Sequence, residues 1–270
     1  MSLLLFKVAV TPLLVVAATL LQRRFGGAVG GLFTGLPVTS APLSVFLALQ
    51  YGASFAARAA VATLLGLAAM AGFCAAYARM ARVTRWLPAL LVAAAASAVL
   101  FAVVSHVPQR PGLAAAVVFP VLLGVVLLIG RPLPAQATPH PWWDLPARSA
   151  FALGAVLAIT AAASHLGPTW TGLLATLPVL SAIMGSFTHR IAGAEAARSL
   201  LRGIVVGALG AASFNLVIAL SVQRTAVAWA YAAAALCALA AAAAGHAAFG
   251  VADWPTRLGW RAAVERLPER

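Results

Sequence analysis

Residues 31–41 read GLFTGLPVTSA and residues 172–182 read GLLATLPVLSA, so a similar string returns 141 residues later. The register continues to Gly52 over Gly193, with 12 identities in the 36 positions from 31 to 66. Similarity at a fixed offset indicates that one structural unit is present twice. Chance similarity between two Ala-rich and Leu-rich segments is the alternative, but the shared LPV-x-SA string favours duplication.

The composition predicts that lipid surrounds this unit. Of 270 residues, 63% are hydrophobic and 9% are charged, whereas a soluble protein needs about 25% charged residues to wet its surface. A water-soluble globular protein is therefore excluded, and membrane lipids are the expected partners. The formal net charge is +13, but the bases are scattered singly between apolar stretches, a pattern that does not fit nucleic-acid binding.

The apolar stretches predict an all-α polytopic membrane protein. A helix needs about 20 mostly apolar residues to cross a bilayer, because lipid offers the backbone no hydrogen-bond partner. Nine stretches meet this requirement: residues 3–22, 28–50, 55–78, 86–107, 113–130, 148–166, 169–189, 199–222 and 226–247.

The distribution of Lys and Arg predicts the orientation of these spans. If all nine cross, 14 of the 18 bases fall on one side and only Lys7, Arg58, Arg110 and Arg224 on the other. Basic loops stay in the cytoplasm. We therefore expect the C-terminus in the cytoplasm and the N-terminus outside, in the inner (plasma) membrane of a bacterium.

The repeat and the nine spans together predict an inverted pair of four-helix units. The predicted domains are a first repeat (1–110), a connecting helix with a Pro-rich linker (111–147), a second repeat (148–249) and a basic cytoplasmic tail (250–270). Five crossings separate equivalent points, so the two copies cross in opposite directions. Inverted repeats with interrupted helices are typical of secondary transporters, whose binding site lies near the middle of the membrane.

Proline and glycine predict where helices two and seven are interrupted. Pro37 and Pro178 each remove an amide donor and clash with the preceding turn, so each helix should break there. Hydroxyls near the breaks either bind a solute or cap their own backbone and allow close packing. The candidate solute-binding residues at the breaks are Thr34, Pro37, Thr39, Ser40, Thr176, Pro178, Ser181 and Ser186.

The charged residues near segment ends predict an anionic or amphiphilic substrate. All five acids lie outside the long apolar stretches, so a buried carboxylate for sodium or proton coupling is not expected. Arg58 and Arg198 would neutralise the solute, because arginine matches carboxylate and phosphate groups. Alternatively, such terminal bases extend to the lipid headgroups. The candidate entry or gating residues are Lys7, Arg148, His165 and His189, the histidines through a proton-linked step.

No catalytic motif or metal-ligand spacing is present, so neither an enzyme, a cofactor nor a metal site is expected. The two cysteines, Cys74 and Cys237, lie within apolar stretches and indicate neither a disulfide framework nor a metal motif. Assembly into a homo-oligomer is left open.

Each half resembles the small four-helix GlpM-type bacterial inner-membrane proteins. The resemblance rests on the early bases Lys7 and Arg148, on the GL-x-x-x-LPV-x-S element at 31–40 and, loosely, at 172–181, and on the Arg58 and Arg198 regions. The chain departs from that pattern as a fused duplicate with an added connector. The resemblance implies a bacterial inner-membrane location and an envelope-related role.

Three functions are consistent with these features. The first is a secondary transporter that moves an anionic or amphiphilic small solute by alternating access around the breaks at Pro37 and Pro178. The second is a lipid or polyprenyl-phosphate translocase (flippase), in which the same cations hold a lipid phosphate. The third is a non-transporting scaffold subunit of envelope machinery, in which the breaks serve only packing.

Overall fold

A computed structural model of the chain describes residues 3–38, 40–133, 141–155, 157–158 and 178–249, and this part is helical without strands. The all-α prediction is therefore confirmed. The helices are α1 (Leu3–Phe25), α2 (Gly27–Gly35), α3 (Ser40–Tyr51), α4 (Ala53–Met80), α5 (Trp86–Val104), α6 (Pro111–Ile129), α7 (144–155), α8 (Val179–Ser221) and α9 (Val227–Phe249).

Within the described ranges, six helical stretches are long and apolar enough to cross a membrane. They are Gly27–Tyr51, which joins α2 and α3, together with α4, α5, α6, α8 and α9. A multi-pass membrane protein is compatible with this set. The predicted spans 148–166 and 169–189 lie only partly within the described residues, because residues 159–177 fall outside them.

The second predicted span is interrupted at the expected place. Helix α2 ends at Gly35 and α3 begins at Ser40. Pro37 has no amide hydrogen, but its carbonyl accepts a bond from the Ala41 amide at 2.8 Å and so starts the next helix. At 1.5 Å per residue, the 9 residues of α2 and the 12 of α3 are each shorter than the roughly 30 Å of hydrocarbon. The two pieces must therefore act together to cross a bilayer.

Glycines with positive φ mark two further interruptions. Gly52 (φ 86°, ψ 166°) separates α3 from α4, and Gly193 (φ 84°, ψ 179°) divides α8 into α8a (residues 179–192) and α8b (residues 194–221). Residues with a side chain avoid this conformation. The two glycines lie 141 residues apart in the sequence repeat and adopt nearly the same conformation.

Helix boundaries recur at the same offset. Helix α4 covers residues 53–80 and α8b covers 194–221, and α5 begins at residue 86 and α9 at residue 227. Each pair differs by 141 positions. The offset found in the sequence therefore extends to the limits of the helices.

Helices α4 and α8b run antiparallel through the core. Near the start of α4, Ala56 belongs to the same buried cluster as Ile218, close to the end of α8b. Near the end of α4, Arg79 lines a cavity together with Arg198, close to the start of α8b. We call the end of the bundle that holds Arg79 and Arg198 the arginine-rich end.

Helix α2 packs on α8b at very short range. A Cβ on Gly31 would overlap the backbone of Leu200, and a Cβ on Gly207 would overlap the carbonyl of Leu32. Glycine on both helices therefore permits a backbone-to-backbone contact that no side chain fills, as is common between membrane helices.

We expect Gly31→Ala to lower the unfolding temperature of the detergent-solubilised protein by several degrees, because the added methyl group would meet backbone and force the helices apart, at a cost of about 1–3 kcal/mol. Gly124→Ala is the control, since its surroundings in α6 are open. Equal unfolding temperatures for the two variants would contradict the close contact.

Candidate functional site

A buried ion pair joins α1 and α7. The Arg148 Nε donates to Asp144 Oδ1 at 2.7 Å, and the Arg23 Nη2 donates to Asp144 Oδ2 at 2.9 Å. Asp144 is 0% exposed and Arg148 is 1% exposed. Asp144 lies outside the long apolar stretches, and its burial was not predicted from the sequence. Asp144 and Arg148 lie four residues apart on one helix, so each neutralises the other on burial.

The pair extends into a polar network that reaches α8a. Arg148 Nη1 lies 3.4 Å from both Gln22 Oε1 and Thr188 Oγ1, and 3.5 Å from the Met184 sulfur. Gln22 Nε2 donates to Thr188 Oγ1 at 2.9 Å. One guanidinium group thus holds three helices together, which ties the position of α8a to the Asp144–Arg148 pair.

A mostly apolar cavity of about 170 Å³ lies beside this network, between α5, α7 and α8a. The Phe187 ring separates the cavity from the polar network. Its centroid is 5.6 Å from Arg148 Cζ in the network and 5.6 Å from the centroid of the Phe151 ring, which lines the cavity. The lining residues are Trp86, Leu90, Phe151, Ala182, Ile183, Ser186, Phe187 and Arg190.

Arg190 supplies the positive charge of the cavity. Its Cζ lies 5.9 Å from the Trp86 ring and 5.7 Å from the Trp143 ring. The two indoles hold the guanidinium by cation–π attraction and leave its hydrogen-bond donors available. An apolar cavity with one arginine suits a molecule that carries an anionic group at the end of an apolar body.

The predicted hydroxyl residues are only partly at this site. Ser186 lines the cavity, and its hydroxyl also donates to the Ala182 carbonyl of the same helix. Thr34 donates to the Gly30 carbonyl of its own helix at 2.7 Å, so its hydroxyl caps the backbone, the alternative to binding a solute. Ser181 is buried, whereas Ser40, Pro37 and Pro178 are partly buried. Three predicted site residues lie outside the described part of the chain: Thr39, Thr176 and His165.

The structure does not bring together Arg58 and Arg198, which were predicted to neutralise one solute. Arg198 lies at the arginine-rich end, whereas Arg58 is 21 residues before Arg79 on α4, which corresponds to about 30 Å along a helix. Arg58 is exposed. Arg198 is buried and donates to Glu195 at 2.6 Å. Residues at similar positions on antiparallel helices lie at opposite ends, so one small molecule cannot reach both.

The entry and gating candidates have separate surroundings. Arg148 is buried in the ion pair with Asp144, and its role in guiding entry stays a prediction. Lys7 lies near the start of α1, whose other end carries Arg23 beside Asp144. His189 Nδ1 lies 3.4 Å from the Tyr77 hydroxyl, and its role in a proton-linked step stays a prediction.

Comparison with protein-family models, curated proteins and solved structures gave no match. The resemblance to GlpM-type proteins therefore stays a prediction.

We expect Asp144→Asn to destabilise the protein by about 3–5 kcal/mol, because it leaves the buried Arg148 without its counter-charge. Arg148→Gln should have a comparable effect. The double variant should lose less than the sum of the two single losses, since the partners are coupled.

Thermal unfolding in detergent measures these effects, with Arg58→Gln as the control because Arg58 is exposed. Additive losses in the double variant, or an Asp144→Asn variant as stable as the control, would show that the pair does not hold α7 to its neighbours.

Proposed function

We propose that the protein is a secondary transporter of the bacterial inner membrane that moves a small anionic amphiphile by alternating access. The observation that carries the proposal is the antiparallel packing of α4 and α8b, each of which follows a glycine of nearly identical conformation, Gly52 or Gly193. Helices that share a sequence register but run in opposite directions are expected of an inverted repeat.

The proposed topology has nine crossings, with the N-terminus outside and the C-terminus in the cytoplasm. Helices α1 to α5 would form the first repeat, α6 the connector, and α7 to α9 with the intervening residues the second repeat. The gathering of Arg79, Arg82 and Arg198 around one cavity supports an arginine-rich cytoplasmic end.

The helix breaks would provide the movement. Helix α2 is fixed to α8b by the glycine contact, whereas α8a begins after Pro178, contacts α1 and α7 through Arg148, and turns into α8b at Gly193. Nothing lies within 4 Å of the Cβ positions of Gly52 and Gly193. Each glycine can therefore act as a hinge without repacking its neighbours, so α8a would rock relative to the unit formed by α2 and α8b.

The cavity beside α8a would accommodate the solute. Arg190 would pair with its anionic group, and the rings of Phe151 and Phe187 would contact its apolar part. Because Phe187 also covers Arg148, movement of α8a would change access to the Asp144–Arg148 pair at the same time. The substrate class that fits best is a small carboxylate or phosphate ester with an apolar chain.

Transport is testable in proteoliposomes with a panel of radiolabelled medium-chain carboxylates and alkyl phosphates. We expect uptake by the wild type and at least tenfold slower uptake by Arg190→Gln, because the variant lacks the charge that would hold the anionic group. Arg224→Gln is the control, since Arg224 is exposed and lies after the end of α8b.

A flippase is the second candidate, because the same apolar lining would accept a lipid chain. The same proteoliposomes, prepared with fluorescent phospholipid or polyprenyl phosphate and a membrane-impermeant quencher, separate the two functions. Lipid movement without solute uptake would favour the flippase, and the absence of both activities would favour a scaffold subunit.

We further expect Gly193→Ala to slow transport by tenfold or more while the protein still folds, because a side chain at φ 84° and ψ 179° is strained by about 1–3 kcal/mol and biases the hinge. The matched control is Gly112→Ala, which also adds a methyl group in open space but at a residue without positive φ. Unchanged uptake by Gly193→Ala would argue against a hinge there.

A further inference from the structure

A second cavity, of about 220 Å³, lies at the arginine-rich end between the ends of α4 and α6 and the start of α8b. Three arginines line it, Arg79, Arg82 and Arg198. Three guanidinium groups around one cavity concentrate positive charge that suits an anion, and this cavity is not used in the proposed transport step.

Arg198 forms the fixed part of this cavity. It is 3% exposed, its Nη1 donates to both Glu195 carboxylate oxygens at 2.6 and 2.7 Å, and its Nη2 donates to the Ile129 carbonyl at 2.6 Å. Its Nε has no hydrogen-bond partner. Glu195 also accepts a bond from the Leu133 amide at 2.8 Å. Among the described residues, Glu195 is the carboxylate beside this cavity, and its one negative charge does not balance the three positive charges.

Arg79 and Arg82 supply the available donors. Both are exposed, and neither guanidinium group forms a hydrogen bond within the described part of the chain. They lie three residues apart around the end of α4, so both can approach the same ligand. The planar fork of each guanidinium group matches two oxygens of a phosphate.

The apolar part of the lining indicates where the ligand would sit. Val83 is 77% exposed and Leu128 is 50% exposed, as expected for residues that face lipid. The cavity therefore opens where charged donors adjoin an apolar surface, the level at which phosphate groups of lipids lie in a bilayer. Basic pockets between membrane helices on the cytoplasmic side are suited to such head groups.

We propose that this cavity binds a phosphate group, with Arg79 and Arg82 as direct ligands and Arg198 as the buried charge behind them. The phosphate belongs either to an anionic lipid or to a soluble phosphate. This site is separate from the transport cavity, so it can exist whether or not the protein is a transporter.

The test is the unfolding temperature of the purified full chain in neutral detergent, titrated with inorganic phosphate, pyrophosphate, phosphatidylglycerol, cardiolipin or, as the uncharged comparison, phosphatidylcholine. A ligand that binds only the folded protein raises this temperature. We expect phosphate-bearing anions to raise it for the wild type, and phosphatidylcholine to leave it unchanged.

The double variant Arg79→Gln, Arg82→Gln should bind at least tenfold more weakly and lose the shift. The matched control is Arg58→Gln, Arg224→Gln, which removes the same charge from exposed residues on α4 and after α8b. Both variants should unfold at the wild-type temperature without ligand, because all four arginines are exposed.

A shift with anionic lipid alone identifies a lipid headgroup as the source, and a shift with inorganic phosphate or pyrophosphate identifies a soluble phosphate. Native mass spectrometry, which counts bound lipids, provides a second readout. No shift with any anion, or equal shifts for the two double variants, would overturn the proposal.

Discussion

The absence of hydrogen-bond partners in lipid is the constraint on which the architecture depends. Every interruption of a helix leaves amide and carbonyl groups that the chain must satisfy itself. At Gly52 this is achieved locally, because its amide donates to the Ala48 carbonyl at 3.0 Å and its carbonyl accepts from the Ala56 amide at 3.2 Å. The amide and the carbonyl of Gly52 thus both remain hydrogen-bonded at the junction of α3 and α4. Breaks of this kind can move, because their hydrogen bonds do not depend on a neighbouring helix.

Hydropathy was sufficient to predict the continuous helices. The position of Pro37 was sufficient to predict the break in the second predicted span. The predicted span 86–107 corresponds to α5 (Trp86–Val104), and 113–130 corresponds to α6 (Pro111–Ile129). The turn at Gly193 was not predicted, since glycine is frequent in membrane helices and its φ depends on packing. The alignment of Gly52 with Gly193 was a usable signal for this turn. A glycine that recurs just before a helix in both copies of a repeat is expected where positive φ is required.

The site was harder to predict than the helices. The sequence assigned Asp144 to a linker because it follows a Pro-rich stretch, yet the structure places it at the start of α7 with Arg148 one turn later. The signal for the buried pair was the spacing of four residues between the opposite charges of Asp144 and Arg148. Glu195 and Arg198, which are three residues apart, form a second pair of this kind. Interaction of Arg148 with Gln22 and Thr188 could not be predicted, because it joins residues 126 and 40 positions apart.

Acidic residues explain which arginines are available for a ligand. In the described ranges the acids are Asp144 and Glu195, and each pairs with an arginine that is almost fully buried. Burial of a guanidinium group without a counter-charge is costly, which explains the pairing of Arg148 and Arg198 with these carboxylates, whereas the buried Arg202 donates to the Phe249 carbonyl at 2.6 Å. The exposed arginines Arg79, Arg82 and Arg190 form no ion pair with either of these two carboxylates. Their charge is therefore open to water, to aromatic rings and to anions from outside the described part of the chain. An arginine is therefore a ligand candidate in this protein when it lines a cavity and forms no ion pair with a described carboxylate. This criterion selects Arg190 at one cavity, and Arg79 with Arg82 at the other.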